Sequence, residues 1–136
     1  PVLYMQVPGD CSSGELLSLI LEGLKYNETS GRLIDLRRRS LRLLKESKVE
    51  MLIIDEANFL RLKTFSEIAR IYDLLKISIV LVGTNGLDNL VKRESYIHNR
   101  FIECYRLEVV SEKKFPELVQ IWEDEVLSLP VPSNLT

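Results

Sequence analysis

The sequence predicts an α/β protein built on a parallel sheet with helices on both faces. Two observations support this fold class. Short apolar runs, typical of strands buried on both faces, alternate along the chain with segments of helical periodicity. The chain has 136 residues, of which 46% are hydrophobic, and its net charge is -2. That length and composition predict a single globular domain, residues 1–136, with a core of its own.

Each element follows from its pattern of apolar residues. The predicted strands are 2–7, 51–54, 77–82 and 101–109, of which 51–54 has four apolar residues in succession. The predicted helices are about 13–26, 30–46, 62–75, 87–93 and 115–126, where apolar residues recur at three- and four-residue steps. Ligands of such sheets bind at the carboxyl ends of the strands, so the polar residues after each strand are the candidate site.

Several classes of protein are excluded by simple counts. Cys11 and Cys104 are far apart and belong to no Cys/His cluster, so we expect reduced, mostly buried thiols rather than a disulfide or zinc site. His98 is the only histidine, which argues against a catalytic triad. The sequence has no apolar run of the about 18–20 residues that a membrane span needs, so we expect a cytoplasmic protein without a membrane partner.

Two adjacent carboxylates, Asp55 and Glu56, follow the apolar run 51–54. This pattern is typical of the Walker B strand of a P-loop ATPase. There the Asp holds Mg²⁺, usually through water, and the Glu orients or activates the attacking water. The alternative is that both residues merely cap the next helix.

Polar residues downstream favour the ATPase interpretation. Thr84 (or Asn85) follows the strand 77–82, where ATPases of the AAA+ class place the sensor-1 group that contacts the γ-phosphate. Arg100 precedes an apolar residue that opens the next predicted strand, the usual AAA+ position of the arginine finger that reaches a neighbouring subunit. A surface ion pair is the alternative role of Arg100.

Basic residues are concentrated between residues 32 and 48. Seven of them stand against Asp35 and Glu46, a local net charge of +5. On the predicted helix 30–46, Arg38, Arg42 and Lys45 point away from the apolar stripe.

The sequence resembles the AAA+ transposition regulators of the TniB/TnsC type. The resemblance rests on the stretches LIIDEANFL, IVLVGTNGLDNL, HNRF and FPELVQIWEDEVLSLPVPSNL, together with the opening strand and its Leu-rich helix. It implies a P-loop NTPase (AAA+) core that binds ATP and Mg²⁺ and forms a homo-oligomer on double-stranded DNA. Such a protein links a target-selection protein to a transposase. The resemblance also implies phosphate contacts with DNA from the basic helix 30–46, for which the best candidates are Arg37, Arg38, Arg39 and Arg42. A solvated face is the alternative role of that helix.

One expected motif is missing, since no G-x-x-x-x-G-K-[ST] occurs in the chain. Gly9 and Gly14 have the right spacing, but Glu15 and Leu16 stand where the Lys and the Ser/Thr belong. We therefore interpret 9–14 as a turn and helix start, and expect the Walker A loop to precede Pro1. The chain would then be a partial core, without lid, that binds no ATP or Mg²⁺ by itself. Another AAA+ or STAND-type ATPase (an initiator or signalling switch) and a non-catalytic α/β interaction module remain the alternatives.

Overall fold

Three strands form one parallel sheet in the order β1 (Val2–Gln6), β2 (Met51–Asp55) and β3 (Ser78–Leu81). This computed structural model describes residues 1–128. The register pairs Val2 with Met51, and Met51 in turn with Ser78. All three strands therefore end at the same edge of the sheet, where Asp55 stands opposite Gln6. The predicted α/β class with a parallel sheet is confirmed.

Helices connect and follow the strands. They are α1 (Ser13–Gly23), α2 (Leu33–Glu46), α3 (Phe65–Leu75), α4 (Gly86–Lys92), α5 (Ser95–His98) and α6 (Phe115–Ile121). Short 3₁₀ turns occupy Ala57–Phe59 and Leu62–Thr64, and a π-helical turn, Trp122–Leu127, continues α6. No helix in the described residues has the length and apolar character needed to span a bilayer.

The core lies on one face of the sheet. Leu3, Met5, Leu52 and Ile54 alternate with exposed or half-buried neighbours and pack with the apolar stripe of α1, Leu16, Leu17, Ile20 and Leu21. Full burial of each such side chain contributes about 1.5–3 kcal/mol, so this layer dominates the stability of the fold.

The opposite face is covered less than the sequence predicted. We expected helices on both faces, but in the described part of the chain the side chains of Val2, Tyr4, Val80 and Val82 remain exposed. The strand order explains the difference. Because β1, β2 and β3 are consecutive neighbours and such crossovers are right-handed, the connecting helices all fall on the same face. Met51 and Ile53 of β2 are accordingly only half-buried.

The predicted strand at 101–109 is wrong. Residues 101–110 have no regular structure, and the side chains of Ile102, Leu107 and Val109 are each more than 90% exposed. An alternating apolar pattern becomes a strand only when a neighbouring strand receives its hydrogen bonds. No strand among residues 1–128 pairs with this segment.

The chain divides into two compact units, Pro1–Cys104 and a second that begins at Tyr105. The second unit contains α6 and its π-helical continuation, which together match the predicted helix 115–126. Phe115, Leu118 and Trp122 in these turns are about half exposed.

The two cysteines differ in exposure, although both were predicted to be mostly buried. Cys11 is fully buried in the first unit, and this burial raises the pKa of its thiol to about 11. Cys104 is exposed, and neither residue forms a disulfide. The prediction of a buried thiol is therefore right for Cys11 and wrong for Cys104.

Candidate functional site

The acidic pair lies where β2 ends, and backbone bonds join this end to β3. The amide of Val82 donates to the carbonyl of Ile54 at 2.9 Å, and the amide of Ala57 donates back to the carbonyl of Val82 at 2.9 Å. The loop that carries Asp55 and Glu56 is therefore held beside the loop that follows β3. This is the edge at which parallel sheets bind their ligands.

Asp55 is half-buried, and each of its carboxylate oxygens accepts one hydrogen bond. The hydroxyl of Tyr4 donates to Oδ2 at 2.7 Å, and the amide of Glu56 donates to Oδ1 at 2.8 Å. Donation to this carboxylate raises the pKa of Tyr4. A carboxylate accepts about four hydrogen bonds, so capacity remains for a water-bridged cation.

Glu56 has a left-handed backbone conformation, with φ 55° and ψ 32°. Lys25, Lys48 and Lys76 share this conformation, but they follow helices, where it commonly ends the last turn. Glu56 follows a strand, as does Asp10 in the turn after β1. The conformation costs a non-glycine residue roughly 1–2 kcal/mol, and such strain is concentrated at functional sites.

The capping alternative for the acidic pair does not match the local geometry. The 3₁₀ turn Ala57–Phe59 begins after Glu56 without any side-chain cap hydrogen bond. Among residues 1–128, Asp55 accepts only from the adjacent amide of Glu56 and from Tyr4. Neither carboxylate therefore caps the 3₁₀ turn, and helix capping does not explain the acidic pair.

Thr84 and Asn85 are exposed at the carboxyl end of β3. The backbone amide of Thr84 donates to Oδ1 of Asn58 at 3.1 Å, so the loop after β2 contacts the loop after β3 through a side chain. Asn58 was not among the site residues predicted from the sequence. Its only signal was a polar residue in an apolar context, three positions after Asp55.

Arg100 forms an ion pair within the chain. Its guanidinium donates to both carboxylate oxygens of Asp73 on α3, at 3.0 and 2.7 Å, and also to the carbonyl of Tyr96. The bidentate contact lowers the pKa of Asp73. The surface ion pair considered from the sequence is therefore present, and a contact with another molecule would require Arg100 to exchange Asp73 for it.

The four basic candidates on α2 fall into two groups. Arg37 donates to the buried carboxylate of Glu67 at 2.8 Å, and Arg39 donates to the carbonyls of Glu28 and Ser30. Arg38 and Arg42, one helical turn apart, are exposed. Within the described part of the chain, Arg42 has only a long contact of 3.9 Å with Glu46. Of the four, Arg38 and Arg42 are the ones available to a partner.

Replacing Arg37 with alanine is expected to lower the free energy of unfolding by about 2 kcal/mol. The change leaves the carboxylate of Glu67, whose side chain is 4% exposed, without its bidentate partner. Breaking a fully buried pair costs more, but Arg37 itself is 25% exposed and Arg70 remains 3.9 Å from Glu67. Urea denaturation measures the effect.

The matched control for that experiment is Arg38→Ala on the same helix. Arg38 is exposed, so its loss should change the unfolding free energy by less than about 0.5 kcal/mol. Equal effects of Arg37→Ala and Arg38→Ala would show that the contact with Glu67 does not stabilise the fold.

The glycine pair near the amino terminus is a turn and helix start, as predicted. Ser12 caps α1, and its backbone amide and hydroxyl donate to the Glu15 carboxylate while its hydroxyl accepts from the Glu15 amide. A Cβ on Gly9 or Gly14 would meet nothing within 4 Å. A side chain would therefore fit at either position. In a phosphate-binding loop, by contrast, glycines let the backbone approach the phosphates closely.

The acidic pair fits part of a magnesium site. Mg²⁺ is usually held by one or two carboxylates together with substrate phosphates rather than by an all-protein cage. Asp55 has the free lone pairs that such a site needs. No group of three or more His, Cys, Asp or Glu side chains in the described residues forms a cage for a metal ion.

The parallel sheet, with an acidic pair after one strand and polar residues after the next, defines the α/β core of a P-loop NTPase. The chain belongs to the TniB family, since residues 1–109 match the family described as Bacterial TniB protein. The family is one of transposition-related AAA+ proteins, as the sequence motifs implied. A search of curated proteins gave no match.

The family match also delimits the resemblance. It includes the acidic pair, the loop after β3 and Arg100, but it ends before the segment FPELVQIWEDEVLSLPVPSNL. The resemblance of that segment to the TniB ending is therefore not supported by the match. Its last residues, 129–135, lie outside the described part of the chain.

Proposed function

We propose that the protein containing this chain is an ATP-dependent regulator of DNA transposition that assembles on double-stranded DNA. It would link the choice of target site to the transposase. One observation carries the proposal. At the carboxyl ends of β2 and β3, backbone hydrogen bonds hold the loop with Asp55 and the strained Glu56 beside the polar loop after β3. The chain in which this arrangement occurs is a member of the TniB family.

Each residue has a distinct role in this proposal. Asp55 would hold Mg²⁺ through water, and Mg²⁺ would supply positive charge that neutralises the phosphates. Glu56 orients the attacking water, and Thr84 (or Asn85) contacts the terminal phosphate. Phosphoryl transfer depends mainly on such positioning and charge neutralisation. Tyr4 holds the Asp55 carboxylate in place through its 2.7 Å hydrogen bond.

Arg100 acts on a neighbouring subunit in the proposed assembly. Its side chain is 32% exposed, so it is accessible at the surface. When subunits meet, the guanidinium exchanges the carboxylate of Asp73 for the nucleotide phosphates of its neighbour. Arginine suits both partners, because it stays charged and binds carboxylate and phosphate in the same bidentate manner.

Assembly is the direct test of the proposed function. Full-length protein mixed with ATP, Mg²⁺ and duplex DNA should sediment as an oligomer on the DNA, and replacing ATP with ADP should reduce the oligomer. If the full-length protein binds no ATP, the proposal fails and a non-catalytic interaction module becomes the better interpretation.

DNA binding is proposed to use the exposed face of α2. Reversing the charge of Arg38 and Arg42 together should weaken duplex binding of the full-length protein and lower its salt slope by about 2, because about one counterion is released for each phosphate contact. Fluorescence anisotropy over a range of salt concentrations measures both quantities.

The control for this variant keeps the same change in net charge. Lys113→Glu with Lys114→Glu reverses two exposed charges in the second unit, outside the family match. If the two double variants weaken DNA binding equally, α2 has no specific role in the contact and its basic residues form a solvated face.

A further inference from the structure

We propose that Asn58 is a positioning residue that fixes the backbone of Thr84 against the acidic loop after β2. The inference rests on the proposed ATPase function and assigns a residue to that same site. Asn58 needs no contact with the nucleotide in this role. It sets where the polar loop after β3 stands relative to Asp55 and Glu56.

Two bonds from neighbouring residues hold the loop after β3. The amide of Ala57 donates to the carbonyl of Val82 at 2.9 Å, and Oδ1 of Asn58 accepts from the amide of Thr84 at 3.1 Å. The first bond extends the backbone pairing of the sheet. The second bond lies further along the same loop, and its acceptor is the side chain of Asn58 rather than a backbone carbonyl.

Gly83 lies between the two bonded residues, and the space around it is closed by Asn58. A Cβ on Gly83 would lie 2.7 Å from Oδ1 of Asn58 and 3.3 Å from its backbone nitrogen. The φ angle of Gly83 lies outside the left-handed region. The same Cβ would lie 3.1 Å from Cδ2 of Leu87. This glycine is therefore required for space and not for its backbone conformation.

The chemistry of an asparagine amide suits the task. Its carbonyl oxygen is a neutral acceptor whose strength does not change with pH, whereas an aspartate would place a third carboxylate beside Asp55 and Glu56. The resulting repulsion would oppose a triphosphate at this edge. A serine hydroxyl is attached one atom closer to the backbone and would not reach the Thr84 amide without movement.

Replacing Asn58 with alanine should therefore lower the kcat of ATP hydrolysis by the full-length protein by about 10–100-fold, because a displacement of about 1 Å at such a site costs up to about 10²-fold. The KM for ATP should stay within about twofold, since the loop acts on the attacking water and terminal phosphate. Asn89→Ala, at an exposed position on α4, is the matched control and should keep the normal kcat.

A double-mutant cycle tests the specific contact. Gly83→Ala alone should lower kcat because its Cβ collides with Oδ1 of Asn58. In the double variant Asn58→Ala with Gly83→Ala, the 2.7 Å contact with Oδ1 is gone, and the wider contacts with Cδ2 of Leu87 at 3.1 Å and the backbone nitrogen of residue 58 at 3.3 Å remain. The combined loss should therefore be smaller than the product of the two single losses. Losses that multiply would overturn the inference, because independent sites behave that way.

Hydrogen exchange supplies a measurement that does not depend on catalysis. The Thr84 amide of the unaltered protein should exchange slowly, and Asn58→Ala should make it exchange faster. Rapid exchange in the unaltered protein, an unchanged kcat in Asn58→Ala, or a loss of kcat that is matched by an equal rise in KM would each overturn the inference.

The proposed function is tested separately by Glu56→Gln. If Glu56→Gln hydrolyses ATP normally, the ATPase assignment itself is wrong. If Glu56→Gln blocks hydrolysis and Asn58→Ala does not, only the positioning role of Asn58 is refuted.

Discussion

Replacing Glu56 with glutamine is expected to stop ATP hydrolysis by the full-length protein while leaving ATP binding intact. Glutamine has the same shape and can still occupy the position after β2, but it cannot accept a proton from the attacking water. General-base catalysis contributes about 10²–10⁴-fold, so kcat should fall by at least about 10²-fold. Phosphate release measures hydrolysis, and a fluorescent nucleotide measures binding.

The backbone of the variant should not change, because glutamine and glutamate tolerate the left-handed conformation of residue 56 similarly. Glu22→Gln is the control, since Glu22 is exposed on α1 and its loss should leave kcat unaltered. A normal hydrolysis rate in Glu56→Gln would remove the chemical role assigned to the acidic pair.

Replacing Arg100 with alanine should reduce ATP hydrolysis only in the assembled protein. Arginine fingers supplied by a neighbouring subunit contribute about 10³–10⁵-fold to kcat. Hydrolysis per subunit should therefore stay low as the concentration of Arg100→Ala rises, whereas the unaltered protein should accelerate as it assembles. Rates measured at increasing protein concentration, with and without DNA, distinguish the two behaviours.

Asp73→Ala is the matched control for the Arg100 experiment. It removes the same intrachain ion pair and leaves the guanidinium in place. If the pair with Asp73 is the only role of Arg100, the two variants should behave alike. If Arg100 reaches a neighbour, Asp73→Ala should hydrolyse ATP normally after assembly and Arg100→Ala should not.

The sequence predicted the three paired strands because continuous apolar runs and helical periodicity are local signals. It failed at residues 101–109, where alternation suggested a strand. Whether such a segment becomes a strand depends on a neighbour elsewhere in the fold, and local sequence does not contain that information. The exposed face of the sheet was not predicted for the same kind of reason. Which face the helices cover depends on the strand order and the handedness of the crossovers, and the apolar pattern within one strand carries no information about either.

Contacts between distant residues explain what was missed at the site. Arg37 contacts Glu67, which is 30 positions away, so the density of charge along α2 could not show which of its arginines are in ion pairs and which are exposed. Arg100 likewise contacts Asp73, which is 27 positions away. Asn58 gained its importance only when the register of β2 and β3 brought the loops together. The acidic pair itself was predictable because its signal is confined to a few adjacent residues.

The sheet described above has a consequence for the colloidal behaviour of the chain. Among the described residues, β1 and β3 each pair with β2 alone, so both have a free row of backbone donors and acceptors. Val80 and Tyr4 are exposed on the adjoining face. Unpaired strand edges beside exposed apolar side chains are templates for aggregation. This 136-residue chain, prepared by itself, should therefore precipitate as its concentration rises, with loss of soluble protein before loss of helix content.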